Sequence, residues 1–329
     1  MRSPTILTTR SRRRALSRRD VLLLAFVVAA LGFCSVPWLQ QARQRERVRR
    51  TQCADNLRGV LMGFGVYSND NDDWFPQHYY EPAADESGPL PDHGVTWVGT
   101  MGSNADLRIS ELTDADFSPH AGHPSRSLFM LVWEGTCTTN QFVCPSSGDR
   151  VDDLRNHGPD KMRPRSPFVV EGYYYPRHDF RGYTYLSYGY QLPYGPHGRP
   201  TKNLSASMVV LADKGPYYEA GGEGLPGSET VRDQRSSAQP PSGVADELLG
   251  QHVDSWSPYN SPLHGGAGQN VAYVDAHVSF EYRPCIGANF DNIYTIQNAH
   301  TLAGAVSGMV PDAHQTIGPF TNTDSFIVP

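Results

Sequence analysis

The most informative pattern in the chain is an unbroken apolar stretch near its N-terminus. Residues 21–39, VLLLAFVVAALGFCSVPWL, carry no charged side chain. As an α-helix this stretch would measure roughly 28 Å at about 1.5 Å per residue, which matches the hydrocarbon core of a bilayer. A cleavable secretory signal has a shorter apolar core and ends in small residues, whereas here Pro37 and Trp38 stand at the end of the apolar stretch. The pattern predicts a retained membrane-spanning helix, with a twin-arginine signal at 17–22 or a lipoprotein box at Cys34 as alternatives.

The apolar stretch is followed by a segment with the periodicity of an amphipathic helix. Five apolar side chains recur at the 3, 4 and 7 spacing of one helix face: Cys53, Leu57, Val60, Leu61 and Phe64. Asp55 and Arg58 fall on the opposite side. Three glycines, Gly59, Gly63 and Gly65, each weaken a helix by up to about 1 kcal/mol relative to Ala. We therefore expect residues 40–68 to continue the first helix and to be held by packing against a globular body.

Beyond residue 74 the helical pattern gives way to short β-rich runs. Four segments are predicted as strands: 127–133, 182–190, 207–212 and 270–282. In the last, Val274 and Val278 belong to the set of alternate residues expected to face the core. Residues 220–243, rich in Gly, Pro and Ser, are predicted as a loop. The expected fold is α+β, with a long N-terminal membrane-spanning helix followed by an antiparallel β-rich head with long loop insertions.

Charge divides the chain into the same parts. The first 50 residues hold 12 Arg against Asp20 and Glu46, a net charge of +10, and because the whole chain carries −6, the other 279 residues carry −16. Seven of these arginines precede the apolar stretch, which predicts a cytoplasmic N-terminus and an exported head. We thus expect a basic leader at 1–20, a transmembrane helix at 21–39, its amphipathic continuation at 40–68 and a head at 69–329.

The arginines also bear on location and partners. The charge pattern predicts a single-pass inner-membrane protein whose head lies in the periplasm or at the cell surface. Five arginines between residues 43 and 50 are typical of a solvated basic helix that contacts acidic lipid headgroups. Membrane lipid is therefore an expected partner, and nucleic acid is not.

Residues 12–20, RRRALSRRD, followed by the apolar run and Pro37, resemble the prepilin-type cleavage and methylation segment of type IV pilins and pseudopilins. In that family a basic leader ends in Gly, an aromatic residue begins the mature chain, and a Glu follows four residues later. The resemblance assigns these processing positions to Ala15, Leu16 and Asp20. Arg18 and Arg19 replace residues that are apolar in the family.

Further segments extend the resemblance along the chain, in the order 40–43, 49–53, 74–76, 142–146, 187–190, 210–214 and 264–278. They are similar to a large bacterial family of pseudopilin-like proteins that resemble the major pseudopilin of type II secretion. The resemblance implies a non-enzymatic structural subunit that assembles with itself or with other pseudopilins, with Asp20 offsetting a neighbour's amino group. The alternative is a tethered extracytoplasmic binding or metal-dependent enzymatic domain that does not polymerise.

A histidine and glycine motif near residue 270 has two interpretations. The preferred one is a structural hairpin with a turn at 275–276, in which Asp275 and His264 hydrogen-bond backbone groups. Its predicted residues are His264, Gly265, Gly266, Asn270, Asp275 and His277. In the other interpretation, His264, Asp275 and His277 form a metal site. The resembling family has Gly at the position of Ala276.

Cysteines and acidic residues give the remaining candidates. Of five cysteines, Cys137 and Cys144 lie seven apart across a predicted hairpin and are the expected disulfide, with free buried thiols as the alternative. The sequence has no CxxC pair, so a thiolate zinc site is not expected. The acidic residues of 69–73 resemble a Ca²⁺ loop in composition but lack its Gly and distal Glu. With no Walker A, HExxH or GxSxG motif, we expect no cofactor and no enzymatic activity.

Overall fold

The computed structural model describes residues 18–77, 95–96, 124–152, 169–170, 173–174, 180, 183–193, 197–223, 231–311 and 316–329. The chain divides into two compact units, Met1–Arg47 and Val48–Pro329. The processing positions Ala15 and Leu16 lie outside the described residues. Asp20 falls within the first helix.

Helix α1 runs from Arg18 to Asp70 over 53 residues, ending two residues beyond the predicted end. All five side chains of its predicted apolar face are at most 6% exposed. On the opposite side Arg58 Nη1 donates to Asp55 Oδ1 at 2.6 Å. The amphipathic helix is therefore confirmed, and its apolar face belongs to the core of the second unit.

The membrane-spanning part of the predicted fold is wrong for the part of the chain that the structure describes. Within those residues no helix offers an apolar stretch of the length that a bilayer crossing needs. The described side chains of α1 between Gln40 and Arg47 are mostly arginine and glutamine, which are costly to bury in hydrocarbon. The structure is α+β, with a long helix and an antiparallel sheet.

The main sheet has five antiparallel strands: β4 (Tyr188–Gln191), β5 (Val209–Asp213), β8 (Gln269–Tyr273), β9 (Val278–Glu281) and β11 (Ile327–Val328). Their order across the sheet is β11-β4-β5-β8-β9. The described residues also form three two-stranded pairs: β1 (Val95–Thr96) with β10 (Thr316–Ile317), β2 (Val169–Val170) with β3 (Tyr173–Tyr174), and β6 (Tyr218–Glu223) with β7 (Val231–Arg235). The antiparallel pairing was predicted. The β6–β7 hairpin lies largely where the sequence predicts a loop.

Three short helices accompany the sheet: α2 (Pro124–Trp133), α3 (Ala245–Leu249) and α4 (Leu302–Val306). There are also 3₁₀ turns at Thr139–Phe142, Tyr183–Tyr185, Val253–Tyr259, Leu263–Gly266 and Ala288–Phe290. The prediction of a strand at 127–133 is wrong, because this run lies in α2. Leu128, Leu131 and Val132 are buried at helical spacing, and a short apolar run fits either periodicity.

The predicted strand at 270–282 is a hairpin of β8 and β9. Its pattern is not one of alternating burial, because core clusters cover both faces of β8, with Ala272 in one and Val271 and Tyr273 in the other. Val271 and Tyr273 are buried together with Val274. Val278, expected in the core, is only half-buried.

The core consists of a layer on each face of the main sheet. One layer joins the apolar face of α1 and helix α2 to sheet residues such as Tyr188 and Leu211. The other joins the opposite sheet face to the C-terminal segment, through Ile293, Tyr294 and Phe326. The segment 286–329, which the sequence pattern did not assign, thus completes the core and supplies β11.

Candidate functional site

The residues of the predicted hairpin lie in two separate places. Asp275 and His277 are exposed in the β8–β9 turn, where the backbone N–H of His277 donates to Asp275 Oδ1 at 3.2 Å and the two side chains also pair. The His277 ring stacks on Tyr273 with a centroid distance of 4.0 Å. His264 is buried elsewhere. The backbone bond predicted for Asp275 is confirmed, but the His264, Asp275 and His277 set is not brought together.

His264 is presented by a strained turn. Its φ is +57°, in the left-handed region, which costs a residue with a Cβ roughly 1–2 kcal/mol. Gly266 follows with φ +73°, and a Cβ there would lie 2.8 Å from Ser257 Oγ. Asn260 Nδ2 donates to the Gly266 carbonyl at 3.2 Å. The turn directs the imidazole inward, where it contacts the side chains of Cys144, Asp213 and Asn270.

Four metal-ligating side chains converge on the buried imidazole, and we call them the four-residue cluster: Cys53, Cys144, Asp213 and His264. One candidate ligand atom from each lies within 4.8 Å of all the others, and all four residues are buried. His264 Nε2 is 3.4 Å from Asp213 Oδ2 and 3.6 Å from Cys144 Sγ. Helix α1 supplies Cys53, the end of β5 supplies Asp213, and Cys144 follows the 3₁₀ turn at Thr139–Phe142.

Asn270 in β8 orients two members of the cluster. Its backbone N–H donates to Asp213 Oδ2 at 2.7 Å, and its side-chain Nδ2 lies 3.3 Å from the same oxygen. Nδ2 is also 3.1 Å from His264 Nε2. Asn270 thus contacts both the Asp213 carboxylate and the His264 imidazole and holds the two side chains beside each other.

The second oxygen of Asp213 is left without a hydrogen-bond partner. Oδ1 is buried and accepts no hydrogen bond from any residue that the structure describes. A buried carboxylate oxygen without a donor is energetically costly, so such groups are rare and often mark ion or redox sites. The lysine that follows in the chain, Lys214, pairs with Asp149 at 3.0 Å.

The observed disulfide differs from the predicted one. Cys144 pairs with Cys53, with the Cα atoms 5.2 Å apart, so the prediction of a Cys137–Cys144 bond is wrong. Residues 137–144 form a 3₁₀ turn and not a hairpin, and α1 brings Cys53 to Cys144 while Cys137 packs beside the Gly59 carbonyl. Burial raises the pKa of the free Cys137 thiol to about 11, which makes it a poor nucleophile at neutral pH.

The acidic run at 69–73 forms the end of α1 and the turn after it. Asp73, with φ +68°, pairs with Lys202 Nζ at 2.5 Å and accepts from Asn203 Nδ2 at 3.1 Å. Asn71 Nδ2 donates to the Tyr67 carbonyl at 2.8 Å. One of the three carboxylates in the run, that of Asp73, is thus engaged by a lysine.

The sequence interpretation missed Cys53 and Asp213 as members of a site. Cys144 and His264 are themselves 120 residues apart, so no local spacing motif links the four ligands. All four nevertheless lie in segments that the resemblance singled out: 49–53, 142–146, 210–214 and 264–278. Grouping the metal-ligating residues of those segments gives these four together with Asp275 and His277, which the structure places elsewhere.

Comparison of the chain with protein-family models, with curated proteins and with solved structures finds no match in any of the three. The function is therefore inferred from the residues and the geometry of this chain.

Proposed function

We propose that the protein is a pseudopilin-like, non-enzymatic structural subunit that assembles through its N-terminal helix. The main support for this proposal is helix α1, a single helix of 53 residues whose first residue, Arg18, lies in the prepilin-like segment. In the second unit that helix is built into an α+β body by its buried apolar face. A long N-terminal helix joined to an antiparallel sheet is the architecture that the sequence resemblance implies.

The first unit presents an apolar helix face suited to a second copy of the chain. Leu22, Leu23, Phe26 and Val27 are between 49% and 72% exposed. Their spacing places them within an arc of roughly 140° on one side of a helix. Burying a leucine or phenylalanine side chain contributes about 1.5–3 kcal/mol, so pairing of such faces between copies is favourable.

The disulfide supports an extracytoplasmic location for the head. Cys53 and Cys144 are bonded in the structure, and such bonds persist mainly in secreted, periplasmic or cell-surface proteins. Association with membrane lipid stays a prediction. That the subunit is non-enzymatic likewise stays a prediction from the sequence resemblance.

The mature N-terminus provides the first test. Mass spectrometry of the chain isolated from its own cells should find a species that begins at methylated Leu16. Asp20→Ala should leave this cleavage intact but reduce cross-linked oligomers, and Asp20→Glu should restore them. An intact leader with only monomeric chain would contradict the proposal and favour a head that does not polymerise.

The apolar face provides a second, independent test. Phe26→Glu should remove the ladder of cross-linked oligomers in cells, because it places a charge at the centre of the pairing face. Val48→Glu is the matched control, since Val48 is a similarly exposed apolar residue of α1 at 67%. Equal oligomer yields from the two variants would show that this face does not mediate assembly.

A further inference from the structure

We propose that the four-residue cluster is a redox-controlled zinc site. With the Cys53–Cys144 bond reduced, the two thiolates, the Asp213 carboxylate and His264 Nε2 would hold one Zn²⁺. With the bond oxidised, the disulfide takes the place of the metal. In both states α1 is tied to the segment that holds Cys144, by a covalent bond in one and by a shared ion in the other, and the ion would also tie α1 to β5 through Asp213. The inference does not depend on assembly of the protein.

The distances between ligand atoms support tetrahedral coordination. Zinc binds cysteine sulfur at about 2.3 Å and imidazole nitrogen or carboxylate oxygen at about 2.0–2.2 Å, so the ligands of a tetrahedral site lie about 3.3–3.8 Å apart. The separation of His264 Nε2 from Cys144 Sγ, 3.6 Å, lies in this range, and Nε2 is 3.4 Å from one oxygen of the Asp213 carboxylate, Oδ2. One ligand atom from each of the four residues lies within 4.8 Å of all the others. Cys53 and Cys144 must separate, which breaking their bond permits.

The surroundings of the ligands also point to a cation. Asp213 Oδ1 is buried with no hydrogen-bond donor among the described residues. Asn270 holds the other oxygen of that carboxylate, as the residues behind a metal ligand commonly do. His264 Nε2 lies 3.4 Å from Asp213 Oδ2 and 3.6 Å from Cys144 Sγ. A zinc ion bound by Nε2 would replace the Asn270 amide at that nitrogen and would neutralise the buried carboxylate.

Ligand type and burial define the kind of site. Two thiolates, one imidazole and one carboxylate are ligands that zinc accepts, whereas Mg²⁺ and Ca²⁺ require oxygen ligands. Four protein ligands fill a tetrahedral zinc and leave no position for water, which is the arrangement of structural sites. All four residues are buried. The ion would therefore stabilise the fold and not catalyse a reaction.

The electrons and protons of the switch between the two states balance when a dithiol is the reductant. The dithiol transfers two electrons and two protons to the disulfide, which gives two protein thiols and leaves the dithiol as its own disulfide. Zinc then displaces one proton from each thiol, so two protons are released for each ion bound.

The test measures metal binding by the full-length chain. The purified protein is reduced with a phosphine, freed of metal by a chelator and given ZnCl₂. We expect one equivalent of zinc per reduced chain, a zinc-dependent rise in melting temperature, and neither effect in the oxidised chain. Co²⁺ should give the thiolate charge-transfer and intense visible bands of a tetrahedral site. Mg²⁺ should give no stabilisation.

Matched variants locate the site. His264→Ala and Asp213→Asn should each lose the stoichiometric zinc and the cobalt bands, whereas His277→Ala and Asp275→Asn should retain both. Cys137→Ser and Cys285→Ser test the free thiols and should also bind zinc. Circular dichroism of the oxidised variants checks that they fold, because their disulfide does not require the metal. Folded, reduced wild-type chain that takes up no zinc, or zinc retained by His264→Ala, would overturn the proposal.

Discussion

Cys53 and Cys144 are 91 residues apart in the chain, yet their Cα atoms lie 5.2 Å apart in a disulfide between α1 and the segment that follows α2. Both sulfurs adjoin Asp213 and His264. One covalent bond thus fixes the buried part of α1 against the body of the second unit. The same bond determines whether the two sulfurs are available to a metal.

Loss of this bond should strongly destabilise the chain. Closing a loop of this length contributes on the order of 4–5 kcal/mol by restricting the unfolded chain. We expect Cys53→Ala/Cys144→Ala to lose about this much free energy of unfolding, measured by denaturant titration under oxidising, metal-free conditions. Cys285→Ala is the control, because it removes a buried thiol that is not bonded. A double variant no less stable than this control would contradict the expectation.

Two glycines of α1 should respond to alanine in opposite directions. A Cβ at Gly65 meets no atom within 4 Å among the described residues, so Gly65→Ala should raise the free energy of unfolding by up to about 1 kcal/mol. At Gly63 the Cβ would lie 2.7 Å from Cys137 Sγ. Gly63→Ala should therefore destabilise the protein by about 1–3 kcal/mol through overpacking.

The clash at Gly63 can be tested by removing its partner. In Gly63→Ala/Cys137→Ala the sulfur is absent, so the loss should be smaller than the sum of the two single losses. Thermal unfolding of the four proteins gives this coupling energy. Strictly additive losses would show that Gly63 is not required for the approach of Cys137.

The turn between β8 and β9 should be improved by a glycine. Ala276 has φ +70°, a conformation that costs a residue with a Cβ roughly 1–2 kcal/mol. We expect Ala276→Gly to raise the melting temperature, since the relief of strain exceeds the extra chain entropy of glycine. Ala272→Gly, at a buried position in β8, should lower it. A melting temperature unchanged or lowered by Ala276→Gly would argue against the left-handed turn.

The parts of the fold that could be predicted are those that a local pattern of apolar residues determines. Spacings of three and four residues place Leu57, Val60 and Phe64 on one face of a helix, so their burial could be predicted from the sequence. The run at 127–133 is apolar after Ser127, so its sequence favours neither the helical nor the strand period, and α2 could not be predicted from it. Val271 and Tyr273 broke the expected alternation because core layers cover both faces of β8, which is a tertiary property.

The candidate site was harder to predict because its members come from distant parts of the chain. His264 was recognised as a turn residue with a structural role, and its left-handed backbone agrees with that. The partners proposed for it, Asp275 and His277, are near in sequence. Its actual neighbours, Cys144 and Asp213, come from other elements. The short sequence distance likewise favoured Cys137 over Cys53 as the partner of Cys144. Cys53 comes close to Cys144 only because α1 packs against the body of the second unit, which the sequence distance does not reveal.

A pair of buried carboxylates should make stability fall as pH rises. Burial raises the pKa of Asp324 to about 6, and burial together with the negative charge of Asp324 raises the pKa of Asp291 well above its ordinary value. An unfolded aspartate titrates near about 3.9. Between that value and about 6 the native state therefore binds more protons than the unfolded state. The free energy of unfolding contributed by the pair is greatest below about pH 4 and decreases up to and beyond about pH 6.

Asp291→Asn isolates this contribution, because it removes one titrating group from the pair. Asp291 accepts from the Ser325 N–H at 2.7 Å and from Gln297 Nε2 at 3.1 Å, so the amide adds an offset that does not depend on pH. The variant should gain stability relative to the wild type as pH rises from about 4 to about 7, measured by chemical unfolding at each pH. Asp73→Asn should show the opposite sign at lower pH, since the hydrogen bond from Lys202 lowers the pKa of Asp73. A flat difference between Asp291→Asn and the wild type would mean that the Asp291 carboxylate is ionised as readily in the folded chain as in the unfolded one.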